Sequence, residues 1–180
     1  MADPQNTSLE VELTYLAKEL PVEIRHVTPA RMEDTYVPEN AAHAHLRIRA
    51  KNSKYEITKK VPVNEGDASV HIEQTIPLTA DEYDELTRTN ERKVIKDRYN
   101  VIIDGHPAEV DVFHGKHEGL VLIDFEFGDT DAKAAFTPPS CCLADVTQEG
   151  FIAGGVLSAK SYEDIAIRLE QFGYRPLSAK

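Results

Sequence analysis

Acidic and basic side chains recur at every second position in several segments of this 180-residue chain. The pairs with this spacing are Glu10 and Glu12, Arg47 and Arg49, Lys96 and Arg98, Glu109 and Asp111, and Asp124 and Glu126. Residues two apart in a β-strand point to the same face of its sheet. One face therefore carries dense charge of both signs, while the intervening positions are mostly apolar. Such a face, closed on itself, could hold a metal ion and a polyphosphate.

The segments that carry these residues are predicted to be β-strands. The predicted strands cover residues 8–16, 31–37, 44–50, 55–62, 68–76, 93–103, 107–114 and 119–127, with a further one near 143–147. Turn-forming residues separate them, and Asp104-Gly105 is a hairpin signal between two apolar runs. Strands that follow one another so closely predict an antiparallel sheet.

Two helices are predicted, over residues 79–90 and 161–172. Thr79 and Glu82 have capping-box spacing at the start of the first, and an apolar stripe runs along the second before Gly173. Segment 17–30 is predicted to be irregular or weakly helical. Segment 128–142 is predicted to be a loop with a short helix at residues 131–136.

The alternation fits two architectures. In the first, the polar face meets water and the helices cover the apolar face. In the second, the sheet closes with its charged face inward, and helices cover the apolar outer face. Periodicity alone does not choose between them.

Composition narrows the function classes. The formal net charge of −11 argues against a nucleic-acid binder, which needs a basic surface. No apolar run approaches the roughly 20 residues of a membrane span, and residues 1–8 lack the layout of a secretory signal. We expect one domain over residues 1–180, cytoplasmic, a monomer or homodimer, with no nucleic-acid or membrane partner. The adjacent Cys141 and Cys142 are expected to be free thiols.

The charged motifs occur in a fixed order along the chain. They are Glu10-Val11-Glu12, Leu46 to Arg49, Tyr55 to Lys60, Lys96 to Tyr99, Glu109 to Phe113, and Asp124 to Phe127. This series resembles the CYTH superfamily, also called triphosphate tunnel metalloenzymes, whose pattern runs ExExK, RxR, TxK, ExE, KxRY, ExDxF and ExE. The resemblance spans about residues 9–165, with the C-terminal helix at about 161–172.

The resemblance implies an α+β fold, a closed eight-stranded antiparallel barrel with its charged face inward and helices packed outside. The residues implied to bind phosphate are Arg47, Arg49, Lys60, Lys96 and Arg98. The residues implied to bind Mg²⁺ or Mn²⁺ are Glu10, Glu12, Asp124 and Glu126. Glu12, Lys60 and Arg98 would be catalytic. Thr14, His71, Glu73, Glu109 and Asp111 would complete the tunnel lining.

A charge count supports a metal. The proposed lining holds five cationic and seven anionic side chains, which leaves two net negative charges and repels a polyanion. One divalent cation would neutralise this excess, and two would make the lining positive. Buried unpaired charges are costly, so a metal-linked site explains why so many are tolerated.

The chain departs from the family pattern at a few positions. Thr14 stands where ExExK ends in lysine, and Lys18 lies about 13 Å further along an extended strand. His71 replaces one carboxylate of the pair that keeps Glu73, and Asp124 opens the last ExE. The lining therefore lacks one lysine and one acid of the pattern.

The predicted function is metal-dependent hydrolysis of a triphosphate-containing substrate, most simply inorganic tripolyphosphate, at low activity because of Thr14. One alternative is a polyphosphate-binding module with little or no catalysis. Others are a class IV-type adenylyl cyclase and a thiamine triphosphatase. The absence of tryptophan removes one stacking platform and disfavours the last.

Overall fold

The computed structural model describes residues 7–178. Nine strands in this part of the chain form one antiparallel sheet. The strands are β1 (Thr7–Ala17), β2 (Ala30–Val37), β3 (Leu46–Lys51), β4 (Lys54–Pro62), β5 (Val70–Leu78), β6 (Lys93–Ile103), β7 (His106–His114), β8 (Val121–Phe127) and β9 (Cys142–Asp145). Every predicted strand is confirmed, with small shifts at the ends.

The first eight strands close into a barrel. The strand order is β5-β4-β3-β2-β6-β7-β8-β1, and β1 also pairs with β5. β1 is therefore the seam: residues 7–11 pair with β5, and residues 11–16 pair with β8. β9 adds to β1 beyond that point, at residues 15–17. The closed barrel is the second of the two architectures that the alternation allowed, and it confirms the fold that the resemblance implied.

Four helices lie outside the barrel in the described part of the chain. They are α1 (Ala80–Thr87), α2 (Thr130–Ala134), α3 (Gly154–Leu157) and α4 (Tyr162–Gln171). Capping boxes start α1 at Thr79 and α4 at Ser161. The irregular segment after β1 contains one 3₁₀ turn, Val22–His26. None of these helices is long and apolar enough to cross a membrane.

One apolar cluster lies on the outer face of the barrel. Val110, Ile123 and Phe125 point outward there and are fully buried. The segments that cover them are mostly irregular and contribute Ile24 and Phe136 to the cluster. Outward Leu9 stays 64% exposed. The outer face is thus covered by loops more than by helices, and not everywhere.

A second apolar cluster closes one end of the barrel. Three apolar residues on the inner face lie there: Leu16, Val94 and Leu122. Each is two positions along its strand from a residue of the polar lining, which is Thr14, Lys96 or Asp124, and so lies closer to this end of the barrel. They pack with buried residues of the C-terminal segment, among them Leu157, Ile165 and Leu169. α4 therefore buries its apolar stripe, as predicted from its spacing, across the end of the barrel.

Two glycines bring α3 directly against the strands. A Cβ atom at Gly154 would lie 1.9 Å from the hydroxyl oxygen of Tyr36, and one at Gly155 would lie 2.0 Å from the carbonyl oxygen of Ala44. A side chain at Gly154 would have to displace the Tyr36 ring, and one at Gly155 would have to displace the backbone at Ala44. The barrel end is closed tightly because these two residues are glycine.

A buried arginine holds the same end together. Arg92 donates from Nη1 to the carbonyl oxygens of Glu39, at 2.9 Å, and of Ala41. Its Nη2 donates to the carbonyl oxygen of Gly155, and its Nε donates to Ser158 Oγ at 3.1 Å. One guanidinium thus links the loop after β2 to α3 and satisfies carbonyl groups that burial would otherwise leave unpaired.

Candidate active site

The barrel encloses a cavity of about 600 Å³ that is lined by inward-facing residues of all eight strands. All fourteen predicted site residues line it. The exposed Lys18 does not line it, so this residue does not replace the lysine that is missing at position 14. The structure therefore brings the predicted residues together, while their individual roles stay predictions.

Cross-strand register sets which charges face each other. Arg98 lies opposite Asp111, and Lys60 lies opposite Glu73. Two carboxylate pairs also face each other directly, Glu12 with Glu126 and Glu109 with Asp124. Directly opposed side chains of an antiparallel pair are about 5 Å apart at Cβ. The strands β7, β8 and β1 thus form an acidic wall.

Arg98 organises one side of the cavity. Its Nε and Nη2 donate to the two carboxylate oxygens of Asp111 at 2.7 and 2.6 Å, and Nη1 contacts Glu109. Lys96 donates to the same Asp111. Burial acts to raise the pKa of Asp111, but Arg98 and Lys96 outweigh it and hold that pKa far below its usual value. Asp111 therefore stays ionised and fixes two basic side chains.

Lys60 lies between two carboxylates on the other side. Its Nζ is 2.9 Å from Glu10 Oε2 and 2.6 Å from Glu12 Oε1. Burial acts to lower the pKa of Lys60, but Glu12 and Glu10 outweigh it and raise that pKa above its usual value. The ammonium group is thus a permanent cation at the point where β1 and β4 face each other.

The acidic wall is only partly neutralised. Burial, and then the charges of Asp111 and Glu12, raise the pKa of Asp124 to about 7. Burial, and then Glu109 and Glu10, raise the pKa of Glu126. Thr14 Oγ1 donates to Asp124 Oδ1 at 2.6 Å, where the family pattern has lysine. A hydroxyl group orients Asp124 there but brings no positive charge.

The carboxylates of the cavity are not arranged around a single ion in this structure. Within residues 7–178, no three His, Cys, Asp or Glu side chains converge closely enough to coordinate a metal. Glu10 and Glu12 are drawn to Lys60, and Glu109 is drawn to Arg98. The donor set nonetheless suits a hard divalent cation, because it consists of crowded oxygens with excess negative charge.

Arg47 is the basic residue with the most unused donor capacity. Its Nε is buried and has no hydrogen-bond partner among the described residues. Its Nη2 is 3.7 Å from Glu73 Oε2, which is beyond ordinary hydrogen-bond length. A buried donor without a partner costs free energy. Arg47 therefore points to an anionic ligand in the cavity.

Asp34 lines the cavity and was not predicted from the sequence. Both of its oxygens accept hydrogen bonds from Arg49, with Nε at 2.6 Å and Nη2 at 2.8 Å. Polar residues stand on both faces of β2, where Glu33 precedes Asp34, so alternation gave no inner face for this strand. Arg49 keeps its other N–H groups available for a ligand.

The buried pair of Asp34 and Arg49 is expected to make stability depend on pH. Burial acts to raise the pKa of Asp34, but Arg49 outweighs it and holds the pKa far below the usual value of about 4. A carboxyl with a depressed pKa stabilises the fold above about pH 4 and loses this contribution as pH falls toward its folded pKa. The difference in unfolding free energy between wild type and Asp34→Asn should therefore shrink by about 1 kcal/mol from pH 5 to pH 3.

Denaturant unfolding at the two pH values measures this difference. Glu85→Gln is the matched control, because Glu85 pairs with Arg88 on the exposed face of α1. Its unfolding free energy should differ from wild type by the same small amount at both pH values. A gap between wild type and Asp34→Asn that widens toward pH 3 contradicts the assignment.

The segment after β9 contributes a wall that strand patterns could not reveal. Thr147, Gln148 and Gly154 line the cavity. Thr147 Oγ1 accepts a hydrogen bond from the backbone N–H of Thr14 at 3.0 Å. No charged motif marks residues 146–155, and only their position after the last strand could have drawn attention to them.

The chain is similar to known inorganic triphosphatases in sequence and in structure. No protein-family model matches the chain. An inorganic triphosphatase from Nitrosomonas europaea is 32% identical over 142 residues, which cover 78% of this chain and 90% of that protein. The crystal structure of an inorganic triphosphatase superposes with a TM-score of 0.62 at 25% identity, over 83% of this chain and 93% of that one. A candidate adenylate cyclase from Bacillus halodurans superposes with a TM-score of 0.55 at 13% identity, over 98% and 96%, and this likeness concerns the fold alone.

Proposed function

Because the chain belongs to the CYTH superfamily of triphosphate tunnel metalloenzymes, we propose that it hydrolyses inorganic tripolyphosphate with the help of a divalent cation. The observation that carries this proposal is the cavity itself. Six basic side chains and ten carboxylates line about 600 Å³ inside a closed barrel, and the Nε atom of Arg47 is a buried donor with no partner among the described residues. The relative from Nitrosomonas europaea, an inorganic triphosphatase, supports the choice of substrate.

Five of the basic side chains are proposed to hold the phosphate groups. They are Arg47, Arg49, Lys60, Lys96 and Arg98. Arg47 is the primary anchor, since its guanidinium is least committed to carboxylates. Arg98 and Lys96 are held by Asp111, so they present fixed positive charge without needing to reorganise during the reaction.

The carboxylates Glu10, Glu12, Asp124 and Glu126 are proposed to hold Mg²⁺ or Mn²⁺. When bound, the cation would neutralise charge on the phosphate oxygens, including the charge that develops on the leaving pyrophosphate. Glu12 also contacts Lys60, so release of this lysine would deliver its ammonium to the substrate. Glu12, Lys60 and Arg98 are therefore the proposed catalytic residues.

Phosphate release from a panel of substrates tests the proposal. Tripolyphosphate, ATP and thiamine triphosphate are each supplied with Mg²⁺ or Mn²⁺, and then with a chelator. Tripolyphosphate should be hydrolysed fastest, and the chelator should abolish turnover. Preferred hydrolysis of thiamine triphosphate, or formation of cyclic AMP from ATP, would instead establish one of the other two chemistries.

A polyphosphate-binding module is the second candidate, and Thr14 favours it. The hydroxyl group of Thr14 orients Asp124 but adds no charge to a lining that is already too acidic. Loss of one electrostatic contact in a transition state typically costs about 3–4 kcal/mol, or two to three decades of rate. Turnover by the natural chain is therefore expected to be low, with tripolyphosphate binding largely retained.

Thr14→Lys is expected to raise kcat by about tenfold or more, and to raise tripolyphosphate affinity less. Its ammonium would stand beside Asp124 and Glu12 and would increase the positive charge at the phosphates. Steady-state phosphate release gives kcat, and calorimetry gives Kd. Thr14→Gln controls for side-chain length without charge and should not raise kcat.

If Thr14→Lys lowers an already high wild-type rate, the weak-enzyme hypothesis is wrong. If both forms bind tripolyphosphate and neither hydrolyses it, the protein is the binding module.

A further inference from the structure

His71 occupies an unusual position inside the barrel. It stands on the inner face of β5, opposite Glu10 of β1 and Pro62 of β4. Its side chain is 14% exposed, and its Nδ1 atom is buried without a hydrogen-bond partner in the described part of the chain. A buried polar nitrogen usually has a partner, so an unpaired one calls for an explanation.

The distance from His71 to its nearest acidic neighbour suggests what that partner is. Nδ1 lies 3.8 Å from Glu12 Oε1, which is too far for a direct hydrogen bond. Two ligand atoms about 2.1 Å from one metal ion are about 3.0 Å apart at a right angle and about 4.2 Å apart when opposite. The observed separation falls within this range. One ion could therefore bind both atoms without a large backbone movement.

A positive group already occupies this part of the cavity. Lys60 Nζ contacts Glu12 Oε1 at 2.6 Å and Glu10 Oε2 at 2.9 Å. The carboxylates beside His71 are thus arranged around a cation, which here is an ammonium on a flexible four-carbon chain. If Lys60 swings away, the two glutamates lose their cationic partner, and rotation of their side chains is still required to bring them and the imidazole to one ion.

The other histidines of the cavity do not compete for this role, and His117, whose Nδ1 is also unpaired among the described residues, does not line the cavity. His43 and His45 also line the cavity, but both are exposed at its rim, and their rings stack on each other with centroids 4.3 Å apart. Neither has a ring nitrogen among the buried atoms without a partner. His71 is therefore the histidine whose surroundings call for a ligand inside the barrel.

We propose that His71 is a nitrogen ligand of the cation in the barrel, together with Glu12 and Glu10, and that it favours a first-row transition ion such as Mn²⁺ over Mg²⁺. The proposal rests on the proposed function only in placing a divalent cation in this cavity. Mg²⁺ takes oxygen ligands almost exclusively, whereas imidazole binds transition ions well. Exchange of one oxygen ligand for an imidazole nitrogen should therefore weaken Mg²⁺ binding relative to Mn²⁺ binding.

The direct test is a spin-echo measurement on the full chain loaded with Mn²⁺, without substrate. A coordinated imidazole modulates the electron spin echo of Mn²⁺ through its ¹⁴N nucleus. The wild-type protein should show this modulation, and His71→Ala and His71→Glu should lose it. His45→Ala, which removes an exposed imidazole at the rim of the same cavity, should keep it. Circular dichroism verifies that each variant is folded.

Calorimetry provides the second measurement. The ratio of Mn²⁺ affinity to Mg²⁺ affinity should fall at least about tenfold in His71→Glu, which offers the metal an oxygen ligand instead.

Absence of ¹⁴N modulation in wild type, or an unchanged affinity ratio, overturns the assignment of His71. If hydrolysis still requires a cation in that case, the proposed function stands without this ligand. If the modulation is present but tripolyphosphate is not hydrolysed, the ligand stands and the proposed function fails. If neither cation binds, both are wrong.

Discussion

Glu12→Gln is expected to lower tripolyphosphate hydrolysis by about two to three orders of magnitude. Glu12 faces Glu126 across the β1–β8 pairing, contacts Lys60 and lies 3.8 Å from His71. Glutamine keeps the size of the side chain but removes the charge that a divalent cation requires. The variant should also lose the hydrogen-bonded ion pair with Lys60. Metal binding and the adjacent contact to the phosphate should therefore both be weakened.

Phosphate release at saturating tripolyphosphate and Mn²⁺ or Mg²⁺ measures this effect. Glu33→Gln is the matched control, since Glu33 forms an ion pair with Lys93 but lies outside the cavity lining. Its activity should stay within about twofold of wild type. Calorimetry should show weaker metal binding in Glu12→Gln alone. Unchanged metal binding and turnover in that variant would falsify the metal assignment.

Arg47→Ala is expected to weaken tripolyphosphate binding by about tenfold to a hundredfold. A charge-assisted hydrogen bond contributes about 1.5–3 kcal/mol, and Arg47 has a buried Nε that no described residue pairs with. Among residues 7–178 its single ion-pair contact, to Glu73, is long at 3.7 Å. Removal of this side chain therefore leaves few native contacts broken, so the loss should appear in ligand affinity more than in stability.

Calorimetry with tripolyphosphate gives the dissociation constants. Arg47→Lys keeps the charge but loses the planar pair of donors, and should recover only part of the affinity. Arg31→Ala is the control for loss of an arginine outside the cavity, because Arg31 pairs with Asp97 and is 58% exposed. It should leave the Kd unchanged. Equal Kd values for wild type and Arg47→Ala mean that the phosphates bind elsewhere.

Much of the barrel and its lining could be predicted because long strands repeat a simple rule. In β8, Asp124 and Glu126 alternate with Ile123 and Phe125, and the structure places the first two inside and the last two in the outer core. The charged motif residues of β1 and β6 also point inward, although outward Leu9 and Asp97 lie outside the apolar cluster. Alternation assigned faces reliably wherever one face was apolar, but closure itself was indicated by the order of the motifs and not by periodicity.

The partners of each charge could not be predicted, since they depend on register between strands far apart in sequence. Arg98 was predicted only as a phosphate ligand, and the structure shows that Asp111 holds it and that it contacts Glu109 as well. Asp34 was missed because polar residues occupy both faces of β2. Gly154 and Gly155 carry no side chain, so their part in closing the barrel is visible only in three dimensions.

The position of β1 as the seam has a consequence for how this protein folds. The strands β2 to β5 can pair with their neighbours in the chain as soon as they are made, but β1 needs residues 70–74 on one side and residues 122–127 on the other. A nascent chain therefore exposes an open sheet, with unpaired edges and a half-built charged face, until residue 127 has left the ribosome. Contacts of such long sequence separation fold slowly and leave edges open to aggregation in the meantime.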